Sequence, residues 1–283
     1  MTDRGTKPEG PLLYDLTNRL MASLSEGDLV LAEAECHRFI ISHPNEVLGW
    51  KALGVVIHLQ GHHSRAQEIQ HLAIRLCPDD AESHYNLALS LQQMERHEAA
   101  VNVLERTILL RTDYEEAHSN LAVSLNVMGR VDDAIRHIKA ALILRPCYED
   151  ASNNYGFILQ GKGMLAAAIL AYRHATLLSP FSAHLQNNLG ICLHDTGNLG
   201  DAELHCRHAL SINPAFAEAH NNLGVIFKSK AMTAQAIKHT RAALLLNPAY
   251  AEALNNLAVL LYEQKRLNLS AEMCRRALRL SPT

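Results

Sequence analysis

At 283 residues the chain is long enough for one large domain or two ordinary ones, and its 48% hydrophobic content excludes disorder of the whole. Only 5% is aromatic, with one Trp, so the core must be built from Leu, Ala, Ile and Val, which favours packed helices over sheets. A net charge of −3 without a basic stripe excludes an ordinary nucleic-acid binder.

Taken in chain order, the polar start MTDRGTKPEGP has no apolar segment of the kind that signal peptides carry, and residues 1–12 are expected to be a flexible tail. From Leu13 onward one pattern recurs every 34 residues. Its clearest copies are Asn86-Leu87-Ala88, Asn120-Leu121-Ala122, Asn188-Leu189-Gly190, Asn222-Leu223-Gly224 and Asn256-Leu257-Ala258, with Asn154-Tyr155-Gly156 in the remaining slot. Ala52-Leu53-Gly54 and the weaker Asn18-Arg19-Leu20 extend the frame backwards. Repeats therefore begin at Leu13, Val47, Ala81, Glu115, Glu149, Ala183, Ala217 and Ala251, without an insertion, so that residues 13–283 form one repeat array.

Each unit reads as two helices. A turn falls near the fifteenth position, at Gly61, Gly129, Gly163 and Gly197. The second helix stops at Pro44, Pro78, Pro146, Pro180, Pro214, Pro248 and Pro282, because proline cannot continue it; Thr112 stands in the one exception. Small residues mark close helix crossings at the eighth position (Gly54, Ala88, Ala122, Gly156, Gly190, Gly224, Ala258) and at the twentieth (Ala32 through Ala236, then Ser270). A unit of this size cannot bury its apolar faces alone, so stability comes from stacking on neighbours.

Thirty-four residues with this pattern resemble the tetratricopeptide repeat family, and the second repeat carries the signature best: Trp50-x2-Leu53-Gly54-x2-Ile57, then Ala66, Ala73 and Pro78. The resemblance implies an all-α, right-handed superhelical solenoid of about eight helix-turn-helix repeats. Its first helices would line the concave side with their second, fifth, sixth, ninth, twelfth and thirteenth positions. That fold implies a scaffold binding extended peptide segments, with no catalytic residues and no cofactor.

The sixth position is Asn in seven of eight repeats, although Asn is a middling helix former. Its amide both donates and accepts, as a peptide group does. Helices pack about 8–10 Å apart while an extended chain advances about 3.3–3.6 Å per residue, so one rung meets every third residue of a bound peptide. Two roles are open to these amides: pairing with a ligand backbone, or bonding to a neighbouring helix. The doubled pairs Asn153-Asn154, Asn187-Asn188, Asn221-Asn222 and Asn255-Asn256 favour the first, since an inter-helix bond explains one amide per repeat and not two. With Asn86 and Asn120 they form the candidate peptide-binding set.

An apolar rail runs beside them at the ninth position (Leu89, Val123, Phe157, Ile191, Val225, Val259), and carboxylates occupy the second (Glu82, Glu116, Asp150, Glu218, Glu252), with Asp195 and Glu263 further along. Lys51 and Lys228 are too few to clamp a terminal carboxylate, so a neutral or basic partner is expected over an acidic one. The ladder also resembles the repeat arm of O-linked N-acetylglucosamine transferases and of bacterial repeat–transferase fusions. The alternative function is therefore the recognition arm of a transferase whose catalytic domain lies outside this chain.

His205-Cys206-x-His208 with His194 has the residue types of a zinc site, but Cys206 falls at the twenty-fourth, core-facing position, as do Cys36 and Cys274, so no metal is expected. The six cysteines without a C-x-x-C pair read as reduced thiols, and no apolar run is long enough for a membrane span; both point to a cytoplasmic protein. No phosphate-binding loop, nucleophile elbow or zincin motif occurs. In the last helix, Leu269, Met273, Leu278 and Leu280 are spaced so that they cannot all face the preceding repeat. This strip is expected to meet a second copy, a further domain or a partner.

Overall fold

The computed structural model describes residues 10–280, with side chains from residue 16. These residues form sixteen α-helices and no strand: α1 (Gly10–Ser25), α2 (Leu29–Ser42), α3 (Val47–Leu59), α4 (His63–Leu76), α5 (Ala81–Gln93), α6 (His97–Leu110), α7 (Glu115–Val127), α8 (Val131–Leu144), α9 (Glu149–Gly161), α10 (Leu165–Leu178), α11 (Ala183–Asp195), α12 (Leu199–Ile212), α13 (Ala217–Ser229), α14 (Thr233–Leu246), α15 (Ala251–Glu263) and α16 (Leu267–Leu280). Two compact units divide them, Met1–Arg145 with α1–α8 and Pro146–Thr283 with α9–α16. Within each unit, consecutive helices pack as stacked hairpins. The 34-residue frame holds throughout, and helix α1 opens at Gly10, within the segment expected as a tail. Residues 1–9 of that tail, and Pro282 as a helix stop, lie outside the described residues.

The turn inside each hairpin follows one geometry. The backbone N–H of the sixteenth position reaches back to the carbonyl of the eleventh, as in His62 to Ile57 (3.1 Å), Met232 to Phe227 (2.8 Å) and Arg266 to Leu261 (2.9 Å). This bond satisfies a carbonyl that the helix end would leave unpaired, and it forces the residue between into a left-handed conformation. Glycine takes that place at Gly27, Gly61, Gly129, Gly163 and Gly197, with φ between 72° and 81°. Three repeats put a side chain there instead: Glu95 (φ 57°), Ala231 (φ 56°) and Lys265 (φ 60°). The frame therefore imposes the turn even where the residue opposes it.

Inside a hairpin the two helices touch where the sequence is small. The twentieth-position alanines, from Ala32 through Ala236, are fully buried. At the eighth position, a Cβ added to Gly54, Gly156, Gly190 or Gly224 would come within 2.0–2.8 Å of Gln70, Tyr172, Cys206 or Thr240 respectively. Each of those partners is the twenty-fourth residue of its own repeat, so the glycine leaves room for a side chain on the opposing helix. Where the eighth residue is Ala, the twenty-fourth is a buried aliphatic in Leu104 and Ile138. Ser270, the one departure at position twenty, donates its hydroxyl proton to the carbonyl oxygen of Ala258 at 2.8 Å.

Two expectations for the last helices need correction. Met273 is buried in a cluster with Leu254, Leu257, Ala258, Leu261 and Ala277, so it belongs to the core and not to an open strip; Leu269, Leu278 and Leu280 are exposed. Cys274 is exposed, unlike Cys36 and Cys206 at the same repeat position. Helix α16 packs on α15, and no later helix among the described residues covers its other side.

The left-handed turns yield a measurable consequence. An L-residue in that conformation costs about 1–2 kcal/mol that glycine does not. Ala231→Gly should therefore raise the stability of the chain by up to roughly 1 kcal/mol. Gly129→Ala should lower it by a similar amount, both read from urea unfolding. Equal loss in both variants would contradict this account of the turn.

Candidate peptide-binding face

The candidate asparagines lie on the first helix of each hairpin, and the structure pairs them with one another. Asn188 Nδ2 donates to Asn153 Oδ1, Asn222 Nδ2 to Asn187 Oδ1, and Asn256 Nδ2 to Asn221 Oδ1, each at 2.9 Å. The sixth residue of one repeat thus bonds the fifth residue of the repeat before, so the doubled asparagines are the two halves of one inter-repeat bond. The expectation that such a bond would occupy a single amide per repeat is corrected by this pairing. Asn187 and Asn221 are buried by it, Asn153, Asn188, Asn222 and Asn256 are half-buried, and Asn255 is exposed. Half-buried Asn154 continues the row.

In the first unit the same positions use different chemistry. Asn120 Nδ2 donates to the Tyr85 hydroxyl at 2.8 Å. Opposite Asn86 the fifth residue is Lys51, which has no acceptor to offer. Its Nζ turns instead to Glu82 Oε2 at 2.6 Å, and the buried Asn86 Nδ2 has no bonding partner. The ladder is interrupted there.

Sequence reasoning missed a second row of inter-repeat bonds, made by the twelfth position. Gln92 Nε2 donates to Ser124 Oγ and to the Asn120 carbonyl, both at 2.8 Å. Gln160 Nε2 donates to Asp195 Oδ2 (2.7 Å), His194 Nε2 meets Ser229 Oγ (2.9 Å), and Lys228 Nζ lies 3.4 Å from Glu263. The signal that could have found it is the run of long polar residues at that position, His58, Gln92, Gln160, His194 and Lys228. Ion pairs offset part of the expected acidity, Glu82 with Lys51 and Glu116 with Arg145, while Glu252 keeps its charge and accepts from Asn221 Nδ2 at 3.0 Å.

Between the two rows the ninth-position rail is partly open, with Phe157 62% and Val259 42% exposed. In the second unit it forms a cleft of about 210 Å³ lined by Ile191, His194, Asp195, Asn222, Val225, Ile226 and Glu252. Pockets for small molecules hold about 300–1,000 Å³, so this one is sized for a single side chain. No three or more His, Cys, Asp or Glu side chains come together as a metal-ligand set among the described residues. His205 Nδ1 is engaged by Gln186 Oε1 at 2.8 Å, and burial pushes the Cys206 thiol up to about 12, leaving it protonated and inert. No helix among the described residues is long and apolar enough to cross a membrane.

The rungs should behave as coupled pairs. Removing either amide leaves the other with an unmet polar group, whereas removing both removes the need. Asn187→Ala and Asn222→Ala, singly and together, should show a favourable coupling of about 0.5–1.5 kcal/mol in a double-mutant cycle. Strictly additive losses would mean that the two amides do not depend on one another.

A family model described as tetratricopeptide repeat matches residues 85–152, 158–217 and 233–283, more than half of the chain. A comparison with curated proteins found no match. Among solved structures the chain is similar to one in the APC/C hetero-tetramer Cut9-Hcn1, with a TM-score of 0.75 at 17% identity, covering 98% of this chain and 55% of that one. The chain thus spans little more than half the length of that relative. A tetratricopeptide repeat protein from Parabacteroides merdae aligns with a TM-score of 0.66 at 15% identity, over 93% of this chain and 100% of the other. PilF from Pseudomonas aeruginosa gives 0.62 at 18% identity, over 71% and 92%. Identities this low speak to the fold alone, but together with the family match and the unbroken frame they leave one assignment: the chain belongs to the tetratricopeptide repeat family.

Proposed function

We propose that the chain is a non-catalytic protein–protein interaction scaffold that takes an extended peptide segment along the first-helix face. The observation that carries this is the side-chain-sized cleft of the second unit, an apolar recess between Ile191 and Val225 with Asn222 at its edge. A peptide side chain fills the recess while its backbone meets the amide. The inter-repeat bond uses one N–H of Asn222, and an amide has a second donor and a carbonyl with two lone pairs. Exposed Asp150 and Glu218, whose positions the internal pairs leave uncompensated, support a neutral to basic ligand. The alternative reading, a recognition arm of a transferase, gains no support from the comparisons.

Unstructured peptide libraries of basic, neutral and acidic composition test the proposal by fluorescence polarisation. Basic or neutral peptides should bind. Val225→Arg, which fills the cleft, should weaken their binding by about tenfold, close to 1.4 kcal/mol, with the melting curve unchanged. Binding confined to acidic peptides, or binding indifferent to Val225→Arg, would sink the reading.

A further inference from the structure

In five repeats the fourth residue ties that repeat to the end of the one before. Trp50 Nε1 donates to the Pro44 carbonyl at 2.9 Å, and Gln186 Nε2 to that of Pro180 at 3.1 Å. Histidines do the same through Nε2: His84 to Pro78 (2.9 Å), His118 to Thr112 (3.4 Å) and His220 to Pro214 (3.3 Å). A carbonyl only accepts, so in each of these rings Nε2 carries the proton.

In two repeats the chain of bonds continues into a second histidine on the following helix. His118 Nδ1 lies 3.0 Å from His137 Nδ1, and His220 Nδ1 lies 3.1 Å from His239 Nδ1. A neutral imidazole has one N–H. With that proton fixed on Nε2, His118 and His220 present a bare Nδ1, and His137 and His239 must donate to it. The bonds therefore fix both tautomers: second-helix histidine to first-helix histidine to backbone carbonyl. Repeat six has the same relay with an amide in the middle, His205 Nδ1 donating to Gln186 Oε1 at 2.8 Å.

The histidine relays and the amide relay answer acid differently. A first proton enters at Nε2 of His137 or His239 and leaves every bond in place. A second proton can only go to Nδ1 of His118 or His220, where it sets two N–H donors and two positive charges face to face. At Gln186 that second step does not exist, because an amide does not titrate. We propose that the His118–His137 and His220–His239 pairs are acid-sensitive joints, which loosen the α7–α8 and α13–α14 hairpins when both rings are protonated.

Around His137 and His239 the neighbouring charges are mainly positive. His239 stacks on Phe227, Arg207 lies 5.5 Å from the centre of that same ring, and Lys238 is nearby; the carboxylate of Glu203 is held by Lys230 and Arg207. His137 is flanked by Arg130 and Arg136, and Asp133 is bonded to both of them. Burial holds all four rings below the ordinary histidine value, and His239 falls to about 4. The folded chain therefore binds fewer protons than the unfolded one as pH falls from 6.5 towards 4, and stability must fall with it.

Other buried histidines add a general acid loss, so the test compares relays within the full chain. Melting temperature and amide exchange of α8 and α14 are measured at about pH 7.5 and about pH 4. The double variant His118→Gln with His220→Gln rebuilds the repeat-six relay twice and should roughly halve the acid-induced drop in melting temperature. Gln186→His builds a third histidine relay and should enlarge that drop, with faster exchange appearing in α12. If the double variant does not fold, Gln186→His alone decides. An acid-induced drop that is the same as in the parent chain, in the double variant or in Gln186→His, overturns the proposal.

Discussion

The close approach of the two helices in each hairpin is the constraint on which the rest depends. It is set by the small residues at positions eight and twenty, and it determines what the opposing helix can carry. Gly156 accommodates the Tyr172 ring and Gly54 the Gln70 amide, while the repeat with Ala122 carries the buried aliphatic Ile138 at that place. Close pairing holds the first helices of successive repeats near enough for short side chains to bridge them. A three-atom amide reaches its neighbour at 2.9 Å in three consecutive joints. Overpacking a hairpin by one methyl would thus be felt in the ladder as well as in the core.

The repeat frame, the helix pairs and their stops were legible because they depend on local rules: proline ends helices, and small residues mark crossings. The turn was legible at Gly61, Gly129, Gly163 and Gly197, was passed over at Gly27, and was hidden at Glu95, Ala231 and Lys265, where the stack overrides local preference. Met273 and Cys274 were misplaced for a related reason. Spacing along one helix gives its faces, but burial depends on what a neighbour covers, and the last helix has a neighbour on one side only among the described residues.

The candidate site was legible as a face but not as a set of bonds. Sequence periodicity places Asn187 and Asn222 on the same side of successive repeats; it does not say that one donates to the other. The same holds for Gln160 with Asp195 and for Lys51 with Glu82. The polar groups of this face satisfy one another first, and what they offer a ligand is the capacity left over. Side chains already bonded in this way would need less ordering to take the ligand proposed for this face.

The amide rungs also bear on how such a chain can change in length. Each connects residues 35 apart, in adjacent repeats, and the three rungs of the second unit are chemically identical. Excision of residues 183–216 would place Asn153 opposite Asn222 and remake the same donor–acceptor pair. Duplication of that segment would add one more. The joint is thus indifferent to which repeat supplies either half, and recombination between copies of its coding sequence yields longer or shorter arrays whose seams carry the native bond.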